Sequence, residues 1–116
     1  MHEVTSSFRE PVNRPLTQQE GDLVRWLVEH SHIDASHSLP QIDRLSVAWR
    51  CNCGCPIIDF ALDREPVGSK GEKLVSDWIA EVAGMPVGVM LWQKDYRIST
   101  LEVYSQVPKF PSVYQA

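Results

Sequence analysis

Three cysteines stand within five residues, in the run Cys51-Asn52-Cys53-Gly54-Cys55, and this is the part of the chain whose residue types and spacing most suggest chemistry. Thiolates bind soft metals, and side chains at every second position of an extended strand share one face. Gly54 and Pro56 predict a bend that would scatter the sulfurs, and a structural zinc site usually has a second pair of ligands elsewhere. The pattern favours partly buried thiols at a hairpin bend, with no metal and no disulfide. Metal binding or thiol redox chemistry by Cys51, Cys53 and Cys55 is the alternative.

Three histidines, His30, His32 and His37, fall in or near one polar connection at residues 31–38. No serine or cysteine nucleophile is placed beside them by the sequence, and their spacing is not that of a metal site. His30 stands at the end of a predicted helix, where the helix dipole favours a cationic imidazole. We interpret the three as solvated loop residues, so the sequence predicts no catalytic residue and no cofactor.

Acidic and aromatic side chains alternate with apolar ones along the predicted strands, which places them together on one face of a sheet. We expect this face to be centred on Asp59, Glu81, Trp92 and Glu102. Acidic groups around exposed aromatic anchors suit the docking of a basic partner. The sequence therefore favours a non-enzymatic protein-interaction module, whose partner is another protein or a second copy of the chain.

Length and charge exclude several other classes of function. The chain has 116 residues, which is enough for one domain, and its formal net charge of −4 gives no general attraction to nucleic acid. No apolar run approaches the roughly 20 residues of a membrane-spanning helix. The first residues lack the pattern of a secretory signal, so we expect a cytoplasmic protein without nucleic-acid or membrane partners.

The elements that must position these residues are two helices followed by five strands. Thr17 and Glu20 have the spacing of a capping box and predict a helix that ends near His30, and Ser38 with Gln41 predicts a second, short helix. Alternating patterns predict two strands around the cysteine bend, an exposed loop at 63–73, and strands at about 75–83, 86–93 and 97–105.

These elements predict an α+β fold, with the two N-terminal helices packed on one face of a mostly antiparallel five-stranded meander sheet. We expect residues 1–15 to form an extended or disordered lead-in and residues 16–105 to form a single domain. Residues 106–116 are expected to form a proline-containing tail that could cover the second sheet face. The predicted core consists of Val24, Leu27, Val28, Val47, Trp49, Ile58, Phe60, Trp78, Val89, Leu91, Leu101 and Val103.

Four segments together resemble a family of small bacterial proteins with no established activity. They are Arg14-Pro15-Leu16-Thr17-Gln18-Gln19-Glu20, Trp26-Leu27, the cysteine run to Pro56, and Ile98-Ser99-Thr100-Leu101-Glu102-Val103-Tyr104. The resemblance covers about residues 14–105 and implies no cofactor or catalytic residue. Some proteins of this kind are similar in size and layout to immunity proteins of bacterial toxin systems, which is an analogy of fold rather than of site.

Overall fold

The computed structural model describes residues 9–51, 57–68 and 70–105, in which an antiparallel sheet carries two helices on one face. The strands are β1 (Arg9–Pro15), β2 (Leu45–Cys51), β3 (Ile57–Leu62), β4 (Glu65–Pro66), β5 (Lys73–Val82), β6 (Met85–Lys94) and β7 (Arg97–Ser105). The helices are α1 (Gln18–Glu29) and a 3-10 helix (Ser36–Arg44). The strand order is β1-β2-β3-β7-β6-β5, with β4 paired to β3 outside this path. Within the described residues, no helix has the length and apolar character needed to cross a bilayer.

The described residues form a sheet of seven strands, so the predicted five-stranded meander is wrong. β1 lies within the predicted lead-in, residues 1–15, and β4 lies within the predicted loop, residues 63–73. In addition, β3 pairs with β7 instead of the next long strand along the chain. The two prolines of β1 concealed it, because proline is tolerated on an edge strand, where one side of the backbone has no neighbouring strand.

Helix α1 begins as predicted. The Thr17 hydroxyl accepts a hydrogen bond from the Glu20 backbone N–H at 3.1 Å, and Glu20 Oε1 accepts one from the Thr17 N–H at 2.9 Å. The carboxylate of Glu20 also accepts two 2.8 Å bonds from the Arg14 guanidinium, which joins α1 to β1. These bonds, led by those from Arg14, hold the pKa of Glu20 below its ordinary value.

The second helix forms near the predicted position but with different geometry and a different start. It is a 3-10 helix capped by Ala35 without a side-chain hydrogen bond, so the predicted capping box of Ser38 and Gln41 is wrong. The side chain of Gln41 instead donates to the Tyr96 carbonyl at 2.7 Å and accepts from the Ile98 N–H at 3.0 Å. Gln41 therefore ties this helix to the turn between β6 and β7.

The core lies between α1, the 3-10 helix and the sheet. Eight of the twelve predicted core residues are buried, namely Val24, Leu27, Val28, Val47, Phe60, Val89, Leu91 and Leu101. Ile58 and Val103 pack against them while remaining partly exposed. Trp49 and Trp78 are each 37% exposed, so their assignment to the core was wrong, and buried Val75 and Ile98 were missed.

A bulge in β2 explains the position of Trp49. Val47 lies opposite Phe60, but Trp49 lies opposite Asp59, so Ala48 is an extra residue between the two pairs. One extra residue reverses the alternation of side chains beyond it. Trp49 is consequently turned to the sheet face away from the helices.

Candidate functional site

Five side chains form a row across the open face of the sheet. In register, Trp49 lies opposite Asp59, Asp59 opposite Thr100, Thr100 opposite Trp92, and Trp92 opposite Leu74. The end residues, Trp49 and Leu74, are each 37% exposed, whereas Asp59 and Thr100 at the centre are each 6% exposed. The row therefore sets a buried polar pair between two tryptophans.

The polar centre of this row includes a carboxylate from the segment before β5. Thr100 Oγ1 lies 3.0 Å from Asp59 Oδ1 and also contacts Glu72 Oε2, which accepts a hydrogen bond from Ser99 Oγ at 2.5 Å. A hydroxyl carries one hydrogen, so Thr100 donates to one of the two carboxylates at a time. Glu72 thereby fixes its segment to the sheet face. The sequence offered no signal for this, because a loop carboxylate that bonds a distant strand leaves no local pattern.

The structure brings together three of the four predicted binding residues. Asp59 and Trp92 flank Thr100 in register, and Trp92 Nε1 donates to Glu102 Oε1 at 3.3 Å. Glu81 lies apart from them, opposite Pro86 and one residue pair from the turn between β5 and β6. Asp59 is buried, and Glu102 accepts a hydrogen bond from Trp92. The surface that this cluster presents to a binding partner is therefore the Trp92 indole more than an accessible carboxylate.

The cysteine run is only partly described by the structure. Cys51 is partly buried and disulfide-bonded, so the prediction of a chain without a disulfide is wrong. Cys53 and Cys55 lie outside the described residues, as does the predicted bend. Within the residues that are described, no group of three or more histidine, cysteine or acidic side chains could hold a metal ion.

The histidines are exposed, as interpreted from the sequence, but they are packed against aromatic rings. The His30 ring stacks on Trp26 with 3.9 Å between centroids, and its Nδ1 lies 2.9 Å from the Trp26 carbonyl oxygen. His32 stacks on Trp78 at 5.3 Å, and His37 meets Tyr96 edge to face at 5.3 Å. Two of the three histidines therefore help to build an aromatic cluster between α1 and β5.

We define the β5 edge surface as Trp26 of α1 with Trp78 and Ile79 of β5. The two indoles meet edge to face at 5.4 Å, and Trp78 Nε1 donates to the His30 carbonyl at 3.1 Å, which satisfies an acceptor at the end of α1. Trp26, Trp78 and Ile79 are 42%, 37% and 44% exposed. They border a cavity of about 290 Å³ whose other lining side chains are the apolar Leu23, Leu27, Ala80 and Val89.

Sequence reasoning missed this surface because it placed Trp78 in the core. Trp78 belongs to the side of β5 that faces the helices, opposite Val89, but β5 is the last strand of the sheet and Trp78 lies at its margin. A pattern of alternation identifies the face that a residue takes, whereas the position of its strand within the sheet depends on the topology.

A larger cavity, of about 460 Å³, lies toward the β1 edge of the sheet. It is lined by residues of β1 to β4 and of the turn between β3 and β4, among them Arg14, Ala48, Ala61 and Arg64. Its lining contains no carboxylate, histidine or cysteine. Arg14 is already bonded to Glu20. The cavity therefore presents no acid–base pair, and the β5 edge surface remains the stronger candidate for a binding site.

The chain matches no protein-family model, no curated protein and no solved structure. The resemblance to small bacterial proteins and the analogy with immunity proteins are not tested by this outcome and stay predictions.

Proposed function

We propose that the chain is a non-enzymatic protein-interaction module that binds another protein through the β5 edge surface. The observation that carries the proposal is the edge-to-face contact of two exposed tryptophans at the β5 edge, where the next residue, Ile79, is also exposed, on the other face of the strand. Single exposed apolar residues, such as Tyr96 in the turn between β6 and β7, are ordinary on soluble proteins. A contiguous aromatic patch beside an apolar cavity is typical of a binding site, where tryptophan often contributes much of the affinity.

The chemistry of the patch favours binding over catalysis. The cavity beside it is lined by apolar side chains and has no titratable group in its lining. General acid–base or nucleophilic catalysis requires such groups within hydrogen-bonding distance of a reacting atom. The proposed module therefore contributes an apolar contact surface and acidic neighbours, Asp77 and Glu81, on the same strand.

Selection from a displayed library of random peptides tests the proposal, using the full chain as the immobilised target. We expect enriched peptides to bind the wild-type chain and to lose about tenfold or more in affinity for Ile79→Lys. Tyr96→Lys is the matched control, because Tyr96 is 71% exposed and lies in a different hairpin turn. Absence of enrichment over an unrelated protein, or binders that tolerate Ile79→Lys as well as Tyr96→Lys, would refute the proposal.

The alternative is a thiol-redox or metal-binding protein that uses Cys51, Cys53 and Cys55. The disulfide at Cys51 favours redox chemistry over metal binding within this alternative, because metals bind the thiolate. Disulfides are also rare in the reducing cytoplasm, which is the location we propose for the chain. Alkylation of thiols in intact cells before lysis, followed by mass spectrometry of Cys51, tests both points. A Cys51 that is fully oxidised in cells would contradict the cytoplasmic location.

A further inference from the structure

The two edges of the sheet differ in how well they are protected against pairing with another strand. β1 contains Pro11 and Pro15 and has a register shift between Pro11 and Arg14. Proline and bulges are common devices that prevent an edge strand from accepting a neighbour. β5 has ten residues, Lys73–Val82, without a proline, and its register with β6 is regular from Ser76 to the turn.

One end of the β5 edge is already covered by the connection after α1. The backbone N–H of His32 donates to the Val75 carbonyl at 3.3 Å, and His32 Nε2 lies 3.3 Å from the Asp77 carbonyl oxygen. A carbonyl only accepts, so the Nε2 atom carries the proton in this contact. These two contacts show that the backbone carbonyls of Val75 and Asp77 point away from β6.

The same geometry leaves the other end of the edge open. In a regular antiparallel strand, every second residue directs both its N–H and its C=O to the same side. Because the Asp77 carbonyl points outward, the backbone groups of Ile79 and Glu81 point outward as well. Among the described residues, no backbone bond from a loop or another strand reaches Ile79 or Glu81 on that side.

The side chains around the open segment have a pattern that a second strand could match. Asp77, Ile79 and Glu81 alternate with residues that lie opposite Val89 and Val87, so they belong to the sheet face away from the helices. On the helix side, Trp78 and Ala80 border the 290 Å³ apolar cavity. A neighbouring strand would therefore meet acidic, apolar and acidic side chains on one face, and an apolar recess on the other.

We propose that the partner contributes an extended segment that pairs antiparallel with β5 at Ile79 and Glu81 and carries a basic–apolar–basic pattern on the open face. This inference rests on the proposed function and specifies its mode of binding. Backbone hydrogen bonds to Ile79 and Glu81 supply affinity, as in other cases of strand addition, and the side chains supply specificity. Lysine or arginine opposite Glu81 places opposite charges in a direct cross-strand pair, and a second basic side chain two pairs along the strand lies near the Asp77 carboxylate, beside the end that His32 covers.

A second copy of the chain fits this edge less well. The two-fold antiparallel pairing that sets Ile79 opposite Ile79 also sets Asp77 opposite Glu81 on both sides of the axis. Like charges directly opposite each other destabilise a strand pair. The net charge of −4 further favours a basic partner over self-association.

The probe for this proposal is the synthetic peptide acetyl-Ser-Lys-Leu-Val-Leu-Lys-Ser-amide. Paired antiparallel, its valine lies opposite Ile79 and its first lysine opposite Glu81. Its second lysine comes near the Asp77 carboxylate beside the His32 contact, and its leucines face the apolar recess. N-methylation of the valine and the first lysine removes the N–H groups that face β5. N-methylation of the two leucines instead alters N–H groups that face away, which makes it a control with the same number of methyl groups.

We expect the unmodified peptide to bind the full chain and to slow the hydrogen exchange of the Ile79 and Glu81 amides, as measured by NMR. The peptide methylated at valine and lysine should bind about tenfold or more weakly than the one methylated at its leucines. The peptide with glutamate in place of lysine should lose affinity by a similar factor. Ile79→Pro, which removes an outward N–H, should abolish binding, and Tyr96→Lys should leave it unchanged.

Several outcomes would overturn strand addition, and they differ from those that would overturn the proposed function. Equal binding of the two methylated peptides would exclude backbone pairing while leaving the surface as a side-chain binding site. If the probe peptide does not bind but peptides selected from the library still lose affinity for Ile79→Lys, strand pairing is likewise excluded and the surface remains a binding site. Concentration-dependent dimerisation lost in Ile79→Pro would assign the edge to a second copy and contradict the basic partner.

Discussion

Trp26 of α1 and Trp78 of β5 meet edge to face at 5.4 Å, and the indole N–H of Trp78 closes the end of the helix by donating to the His30 carbonyl. His30 in turn stacks on Trp26. Two exposed rings are thus held in a defined orientation by contacts within the chain. A partner that binds them would not have to order them first, which lowers the entropic cost of association.

Replacement of Trp78 by phenylalanine should separate the hydrogen bond from the ring contact. Trp78→Phe keeps an aromatic ring near Trp26 but leaves the His30 carbonyl without the indole donor, so we expect a loss of about 0.5 to 1.5 kcal/mol in the free energy of unfolding. Trp49→Phe is the matched control, because Trp49 is equally exposed and its indole donates no hydrogen bond among the described residues. Urea denaturation measures both. Equal losses in the two variants would show that the hydrogen bond contributes nothing measurable.

The Thr100 hydroxyl, at the centre of the open face, should contribute measurably to the free energy of unfolding. Thr100→Val removes the donor that lies between the carboxylates of Asp59 and Glu72, while shape is nearly conserved. Loss of a donor to a buried carboxylate costs about 1 to 3 kcal/mol. Thr100→Ser keeps the hydroxyl and should be clearly less destabilised in the same urea measurement. If both variants unfold at the same denaturant concentration, the hydroxyl has no such role.

The sequence predicted those features of the fold that depend on local pattern. The capping box at Thr17 and the buried stripe of α1 are recognisable because each is determined by residues within one or two turns. The alternation along the predicted strands likewise placed Glu81 and Glu102 on the face away from the helices. For the candidate site, this was enough to group Asp59, Trp92 and Glu102, which are neighbours across the sheet.

The features that the sequence did not predict depend on interactions between distant parts of the chain. A bulge at Ala48 turned Trp49 to the opposite face, and a bulge leaves no reliable mark in a short alternating run. β1 was missed because its prolines are compatible with a strand only at the edge of a sheet. The β5 edge surface was missed for a related reason, since only the strand order shows that β5 pairs with a single strand, β6, in the described part of the chain.

The ion pair between Arg14 and Glu20 predicts a specific dependence of stability on pH. Arg14 holds the pKa of Glu20 below its ordinary value of 4.5, so the folded state binds a proton at this site less readily than the unfolded state does. The resulting stabilisation is present above pH 4.5 and is lost as the pH falls through the lower pKa of the folded state. Glu20→Gln should therefore be less stable than wild type at pH 7, and the difference should shrink at pH 3.

Denaturation midpoints of wild type and Glu20→Gln at the two pH values measure this effect. Asp22→Asn is the control, because Asp22 is an exposed carboxylate in the same helix. A difference between wild type and Glu20→Gln that is as large at pH 3 as at pH 7 would show that the charge of Glu20 does not contribute. In that case its capping bond to Thr17, which an amide can partly replace, would account for the stability.

Two glycines with open space around them should respond to alanine in opposite directions. Apart from the adjoining residues and the backbone of α1 itself, no atom of the described residues lies within 4 Å of the position that a Cβ would take at Gly21 or Gly84, so neither site predicts a steric clash. Gly21 lies inside α1, where alanine is favoured, and Gly21→Ala should stabilise the fold by about 0.5 to 1 kcal/mol. Gly84 has φ of +80° in the two-residue turn between β5 and β6, which an L side chain adopts only with strain. Gly84→Ala should lower the free energy of unfolding by about 1 to 2 kcal/mol. Thermal denaturation measures both variants. A shift of the midpoint in the same direction for both would contradict the assigned backbone geometry.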